Sequence, residues 1–487
     1  MSSEWPLRSL KDVADLLTGF PFKSKDYSND ENGYKLLRGD NIVQGCFRWE
    51  DVKRWPKSLL IDKDVKYFLK EGDVILAMDR PWIEAGLKFA QISSIDMPCL
   101  LVQRVACLRA NETLDQDFLR YLISSYSFVE YVKQVQTGTA VPHISGKQIL
   151  DFEFNLPPKI VQKSTSKILK SLDNKIQLNN QINQTLEQMA QAIFKSWFVD
   201  FEPVKAKIAA LEAGGSEDDA LLAAMQTIAG SALFATDAAD ADAQTQLARL
   251  QAEHPEQYAT LRATAELFPS AMQESELGEI PEGWVVSQIG DEVTVVGGGT
   301  PSTKNPEFWE GGTINWTTPK DLSNQVDKML IDTDRRITQA GLNRISSGLL
   351  PVDTVLMSSR APVGYLALAK TPIAVNQGYI AMKCEQTLSP EFVIQWCEVN
   401  MAEIKNRASG TTFAEISKKS FNIIPVLVPQ ESLISVYSKH IHQLYLKIEM
   451  SVRENKTLAE LRDTLLPKLL SGELSISSAF TGQESCT

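Results

Sequence analysis

The sequence predicts an α+β chain made of two mixed α/β domains. Each is followed by a long helix, and the two helices pair as an antiparallel coiled coil within a pseudo-twofold internal repeat. Three observations predict this: a long-range duplication, two apolar seams at helical spacing, and short apolar runs separated by Gly- and Pro-rich turns.

The duplication comes first because it fixes everything else. Trp5-Pro-Leu-Arg-Ser-Leu10 answers to Trp284-Val-Val-Ser-Gln-Ile289, and Arg38-Gly-Asp-Asn-Ile42 to Pro319-Lys-Asp-Leu322. Gly72-Asp-Val-Ile-Leu76 with Arg80 answers to Val352-Asp-Thr-Val-Leu356 with Arg360. From Gly138 onward the offset is a constant 272 without a gap, so that Ser145 meets Ser417, Pro157 meets Pro429 and Leu172 meets Leu444. Within each copy, Asp73–Ala77 and Thr354–Met357 read as strands, and Gln116–Gln134 and Ser389–Asn406 as helices.

The boundaries follow. Residues 1–157 form the first mixed domain, 158–200 the central helix, 201–275 an insert, 276–429 the second mixed domain, 430–474 the C-terminal helix and 475–487 a flexible tail. Leu169, Leu172, Ile176, Leu186, Met189 and Ile193 form the seam of the first helix; Ile441, Leu444, Ile448, Leu458, Leu461 and Leu465 form that of the second. A helix over about 160–197 spans roughly 57 Å at ~1.5 Å per residue. Asn183 and Asn455 lie near the seam at equivalent places, either as register-fixing polar residues or as solvent-facing neighbours. The insert is Ala-rich and acidic, with Leu211, Leu221, Leu222, Met225 and Ile228 at helical spacing. It reads as a helical excursion with a flexible stretch near Thr236–Asp242.

Charge locates rather than excludes a nucleic-acid partner. The net charge is −12, but residues 200–283 hold 16 acidic and 4 basic residues and so carry the whole excess. Residues 1–157 hold 20 basic and 22 acidic residues, and 284–430 hold 13 and 14, so each mixed domain can present a basic face. No apolar run approaches ~18 residues and the start lacks a signal-peptide pattern, which predicts a cytoplasmic chain with no membrane partner. The six cysteines are scattered without a CxxC and read as reduced, mostly buried thiols.

Catalytic signatures are missing. No phosphate loop of the Gly-x4-Gly-Lys-Ser/Thr type occurs, Gly297-Gly298-Gly299-Thr300 lacks the lysine, and no Asn/Asp-Pro-Pro-aromatic tetrapeptide of an adenine methyltransferase is present. His143, His254, His440 and His442 make no metal set. Scattered carboxylates leave a nuclease site open on sequence alone. A duplicated domain on a long spacer suits two short half-sites on DNA separated by an unread gap. The alternative is a protein-interaction scaffold built on the same parts.

These residues resemble the specificity subunits of type I restriction–modification enzymes. Glu276-Leu-Gly-Glu-Ile-Pro281 before Gly283-Trp284, the Gly299-Thr-Pro301 turn with Trp316 and Asp321, and Gly410-Thr411 with Ile416-Ser417 carry the likeness. So do the helix endings Ala192-Ile-Phe-Lys-Ser-Trp-Phe198 and Leu465-Leu-Pro-Lys-Leu-Leu-Ser-Gly-Glu473. The resemblance implies that each mixed domain is a target recognition domain for one half of a bipartite double-stranded DNA site. It implies two methyltransferase subunits and two motor–nuclease subunits as partners. S-adenosylmethionine, ATP and Mg are then cofactors of those partners, with none bound by this chain, which is non-catalytic and serves phage defence.

Candidate DNA-contacting residues are Lys23, Lys25, Arg38, Asn41, Arg80, Thr139 and His143 in the first copy, and Lys304, Trp316, Lys320, Arg360, Thr411 and Thr412 in the second. Arg holds guanine bidentately, Asn holds adenine, and Lys and Gly-Thr loops suit phosphates. Arg80 and Arg360 align in both copies although two half-sites differ in sequence. That alignment favours phosphate grip or a bracing role for them over base reading. Asp40 and Asp321, also aligned, read as turn caps, and Trp5 and Trp284 as core. Trp197 and Phe198 are either core or a face for a methyltransferase subunit.

Overall fold

The computed structural model describes residues 5–138, 140–230, 243–323, 325–410 and 414–474. The chain divides into two compact units, Met1–Ile176 with Thr457–Thr487, and Gln177–Lys456. Each holds one mixed domain and part of both long helices.

In the first unit an antiparallel sheet runs in the order Ala14–Thr18, Val105–Ala110, Val74–Ala77, Phe89–Gln91. Val74–Ala77 is buried on both faces. Val74 and Leu76 enter the core under the helices with Phe118 and Phe128, while Ile75 and Ala77 enter a second core with Leu37 and Cys107. That split is the period-two alternation of a strand between two layers, and explains why its sequence is continuously apolar. A smaller sheet places Tyr34–Leu37 between Arg54–Trp55 and the parallel strand Cys99–Leu101. Leu7–Ser9 pairs with Glu153–Asn155 and closes the domain.

The second unit repeats the plan. Its larger sheet is ordered Thr294–Val296, Tyr379–Lys383, Val355–Ser358, Leu366–Ala369, Met329–Leu330; the last strand is an addition. Ile314–Thr317 lies between Arg335–Ile337 and the parallel Ile373–Val375. Val285–Gln288 pairs with Pro425–Val428. Gly19 and Gly298 do the same job in the two copies. A Cβ there would sit 2.0 Å from the Val102 carbonyl oxygen and 1.9 Å from that of Val375, so only glycine allows the close backbone approach.

Each helix predicted inside a mixed domain is two helices. Gln116–Ser124 and Tyr126–Val135 break at the extended Ser125, whose side chain accepts the Phe128 N–H. Pro390–Val399 and Met401–Asn406 break at Asn400. A serine or asparagine that can bond local backbone competes with helix continuation.

The long helices are Lys159–Phe198 and Glu431–Ser471. They run antiparallel in each unit. Asp173 meets Arg462 and Leu169 meets Leu469 in the first; Asn179 meets Glu454 and Phe194 meets Tyr437 in the second. Leu169, Ile193, Ile441 and Ile448 are buried, and Leu172, Ile176, Leu186, Met189, Leu444, Leu458 and Leu465 are half-buried. Leu461 is a correction: it is 45% exposed, because the seam steps from Leu458 to Arg462 and on to Leu465 and Leu469. Arg462 holds that place by bonding Asp173 at 2.9 Å. The middle of the pair is polar. Asn179 Nδ2 donates to Glu454 Oε2 at 2.7 Å and to Asn455 Oδ1 at 2.8 Å, and Asn455 Nδ2 donates to Asn180 Oδ1 at 2.8 Å. Asn183 is buried, and its amide has no partner among the described residues.

The insert forms the helices Glu202–Glu212, Glu217–Ile228, Ala243–Glu253 and Pro255–Glu266. Its Val204, Met225, Ile228, Leu250 and Leu261 join one core with Ile193, Phe194, Trp197, Phe198 and Trp284. Trp197 packs edge-on against Phe268 at 5.2 Å and is fully buried, which makes it and Phe198 core residues. Trp284 is core as expected, while Trp5 is half-buried. The stretch Thr236–Asp242 and the tail from residue 475 lie outside the described residues. Cys46, Cys99, Cys107, Cys384 and Cys397 are free thiols, Cys46 exposed; burial pushes Cys99 up to about 12.

Candidate nucleic-acid interface

The first copy carries an open cleft of about 580 Å³ where the loops after Tyr34–Leu37, Val74–Ala77 and Cys99–Leu101 converge. Arg38, Lys53, Arg80, Lys88 and Arg104 line it, against only Asp40 and Asp79. Two of the sequence candidates, Arg38 and Arg80, therefore meet in one place. Lys53, Lys88 and Arg104 come from three further segments, and no motif announces them. Lys23 and Lys25 are exposed on either side of Ser24, which lines the cleft.

Asn41 is not a reader. It is buried, its Oδ1 accepts the Arg38 N–H at 3.0 Å, and its Nδ2 donates to the Arg48 carbonyl at 3.1 Å. Both ends of the amide are used to hold the Arg38 turn. Lys88 Nζ donates to the Gly39 carbonyl, and burial lowers its pKa.

One wall of the cleft is a pinned loop. Thr137 and His143 exchange both backbone hydrogen bonds at 2.8 Å, and the Arg80 N–H donates to the Pro142 carbonyl at 2.6 Å. Gly138 sits in the left-handed region at φ 92° and starts the reversal. Thr139, within this loop, lies outside the described residues. Asp79 faces His143 across a β-bridge. Its Oδ1 is 2.6 Å from His143 Nδ1, and its Oδ2 accepts from Arg104 Nη1 at 2.6 Å. Burial alone would raise the Asp79 carboxyl, but hydrogen bonds from Arg104 and His143, with their charges, hold it below its ordinary value.

The second copy has a cleft of about 380 Å³ at the matching place, lined by Lys320 and Arg360 with Thr318, Asn376 and Gly378 and, among the described residues, with no acidic side chain. Lys320 and Arg360 are thus brought together. Lys304 is exposed on the loop after Pro301 and does not line this cleft. Trp316 is a correction: it is 2% exposed, donates its Nε1–H to the Gly299 carbonyl, and packs edge-on against Trp309 at 5.0 Å. It is a core residue of the small sheet. Thr411 and Thr412 lie outside the described residues.

Backbone hydrogen bonding fixes which residues of the two clefts correspond. The Ile144 N–H donates to the Met78 carbonyl, and the Ile416 N–H to that of Ser359. The bridge Asp79 to His143 is matched by Arg360 to Glu415. The left-handed residue before the proline is Arg80, φ 45°, in one copy and Ala361, φ 55°, in the other. Hence Arg360 corresponds to Asp79 and not to Arg80. The same slip occurs one loop earlier. Asp321 accepts the Thr318 N–H at 2.5 Å as Asn41 accepts that of Arg38, so Asp321 corresponds to Asn41 and not to Asp40. Asp321 is the expected turn cap; Asp40 instead pairs with Arg38 at 3.1 Å.

Comparison with known proteins agrees in placing the likeness on both copies. The family described as type I restriction modification DNA specificity domain matches residues 2–188 and 281–458. The type I restriction enzyme HindI specificity subunit of Haemophilus influenzae is 34% identical over 491 residues, covering 97% of this chain and 100% of its own. The EcoAI specificity subunit of Escherichia coli is 35% identical over 189 residues, 38% of this chain and 31% of its own. Among solved structures, the S subunit of a type I restriction–modification system from M. genitalium matches at a TM-score of 0.48 and 15% identity, covering 96% of each chain.

Proposed function

The chain belongs to the family of type I restriction–modification specificity subunits, whose part in the enzyme is non-catalytic, and from that premise we propose that it reads a bipartite DNA target with two domains. The observation that carries the reading is the repeated cleft. The same fold occurs twice, each time with cations converging at the same place, but with different side chains there. Identical frames with different linings suit two half-sites of different sequence. Cationic side chains supply the phosphate grip common to both.

The long helices are the spacer. A 40-residue helix is about 60 Å long at ~1.5 Å per residue, longer than one ~34 Å duplex turn. The chain recruits two methyltransferase subunits and two motor–nuclease subunits, which carry S-adenosylmethionine, ATP and Mg, and the complex acts in the cytoplasm. No helix among the described residues is long and apolar enough to cross a membrane.

Lengthening the spacer tests this. Asp173 opposes Arg462 and Asn180 opposes Asn455, so residues 175 and 460 face each other. Four residues inserted after Lys175 and four after Ala459 lengthen both helices by about 6 Å. The unread gap in the methylated target should then grow by about two base pairs at ~3.4 Å each. A tolerated insertion that leaves the gap unchanged contradicts the spacer role.

A further inference from the structure

The corrected correspondence removes the reason for treating Arg80 and Arg360 as one shared device. At the common bridge the first copy has Asp79 facing His143, and the second has Arg360 facing Glu415. The carboxylate changes sides of the bridge between copies, Asp79 in one and Glu415 in the other, while the backbone frame is the same. Counting from the paired strands, Leu101 and Val375 correspond, so Arg104 corresponds to Gly378.

Each cleft therefore contains one arginine steadied by a carboxylate at this bridge. In the first it is Arg104, whose Nη1 donates to Asp79 Oδ2 at 2.6 Å while Asp79 is itself held by His143. The Arg104 side chain is 65% exposed, and its other N–H donors have no partner among the described residues. In the second it is Arg360, with Nη1 3.8 Å from Glu415 Oε2 and its side chain 37% exposed. Arg104 is anchored by one hydrogen bond and Arg360 stands in ion-pair range of its carboxylate, which biases each guanidinium's orientation, and a guanidinium fork matches the N7 and O6 acceptors of guanine in the major groove. Arg80 differs. It has no side-chain partner among the described residues, so nothing fixes its fork, which suits it to phosphate.

Resting on the two-domain reading above, we propose that Arg104 and Arg360 are the guanine-reading side chains of the first and second half-sites, with Asp79 and Glu415 as their positioning residues. Lysine keeps the charge but lacks the bidentate fork, so Arg→Lys separates base reading from phosphate grip.

The test is genome-wide adenine-methylation mapping in cells carrying the full chain with its methyltransferase subunit, comparing wild type, Arg104→Lys, Arg360→Lys and Asp79→Asn. Arg104→Lys should relax one G·C position in one half-site only, with methylation of the substituted sites rising about ten-fold or more relative to wild type. Asp79→Asn should relax that same position. Arg360→Lys should relax one G·C position in the opposite half-site, so each variant carries the other's half-site as its internal control. An unchanged motif at unchanged strictness overturns the proposal, as does uniform loss at every site. A wild-type chain that imprints no two-part motif overturns the parent reading as well, which tells the two failures apart.

Discussion

Replacing Asp173 with asparagine tests whether the first recognition domain is locked to the helix pair by one polar node. The Asp173 side chain is 15% exposed; it accepts from Arg120 at 2.6 Å, Tyr121 at 2.8 Å and Arg462 at 2.9 Å. Removing a fully buried partner from such a set costs about 3–5 kcal/mol, because the opposite charges stay buried and unpaired. Arg120 and Arg462 are 21% and 31% exposed, and Arg462 also bonds Asp463, so solvent and that neighbour recover part of the loss. The expected cost at pH 7 is about 2–3 kcal/mol. In native-state hydrogen exchange that is roughly a 30- to 160-fold loss of protection. It should appear in peptides covering Gln116–Ser124 and the N-terminal part of the first long helix.

The pH dependence follows from the same contacts. Burial opposes ionisation of Asp173, but the Arg120 charge and the hydrogen bonds from Arg462, Tyr121 and Arg120 outweigh it, so its carboxyl stays below the ordinary value. A carboxyl whose folded pKa is depressed stabilises fully above its unfolded value, about 3.9, and loses that contribution as pH falls through the folded value. Wild type and Asp173→Asn, compared at equal pH, should differ strongly at pH 7 and draw together as pH falls below the ordinary carboxylate range. A difference below about 0.5 kcal/mol at pH 7, or one that does not shrink in acid, would refute the reasoning.

Arg80→Ala should weaken DNA binding by the assembled complex evenly across sequences and reduce the salt slope by about one, with the target motif unchanged; salt-titrated binding checks it. Trp197→Ala should cost about 3–5 kcal/mol by denaturant unfolding, since the side chain is fully buried against Phe268 and Tyr437; a cost under about 1 kcal/mol would contradict that packing. Asn183→Leu should be neutral or stabilising by about 1–3 kcal/mol in the same assay, because it removes a buried amide that has no partner among the described residues, and clear destabilisation would reveal a partner for that amide.

The parts of the fold legible in the sequence are those specified by many residues at once. The long helices repeat an apolar or paired polar residue every three or four positions, and Lys159–Phe198 and Glu431–Ser471 fall within a residue or two of the pattern. Strands such as Val74–Ala77 are short but continuously apolar between turns. Single residues were harder to place. Leu461 looks like seam, yet Arg462 occupies that position because Asp173 pairs with it across the helices, a contact between residues far apart in sequence. Trp316 and Asn41 have the side chains of an interface, but local geometry buries both.

Matching Arg80 to Arg360 is the natural sequence alignment because it pairs identical residues. The whole strand before these arginines is slipped by one: Ala77 pairs with Val105 where Ser358 pairs with Tyr379, so Val74–Ala77 corresponds to Val355–Ser358, and the strand register and the bridge to Glu415 reveal a shift that the identical arginines hide. Lys53, Lys88 and Arg104 are ordinary charged residues of separate segments until the sheets bring them together.

The central claim is that this chain supplies the address of a DNA-modifying complex. The most direct measurement is adenine-methylation mapping of DNA from cells with the gene intact and with it deleted. The account predicts that deletion abolishes methylation at one bipartite motif, two short half-sites around an unread gap. With the partner subunits shown to be expressed, a methylation map identical in both strains would contradict it.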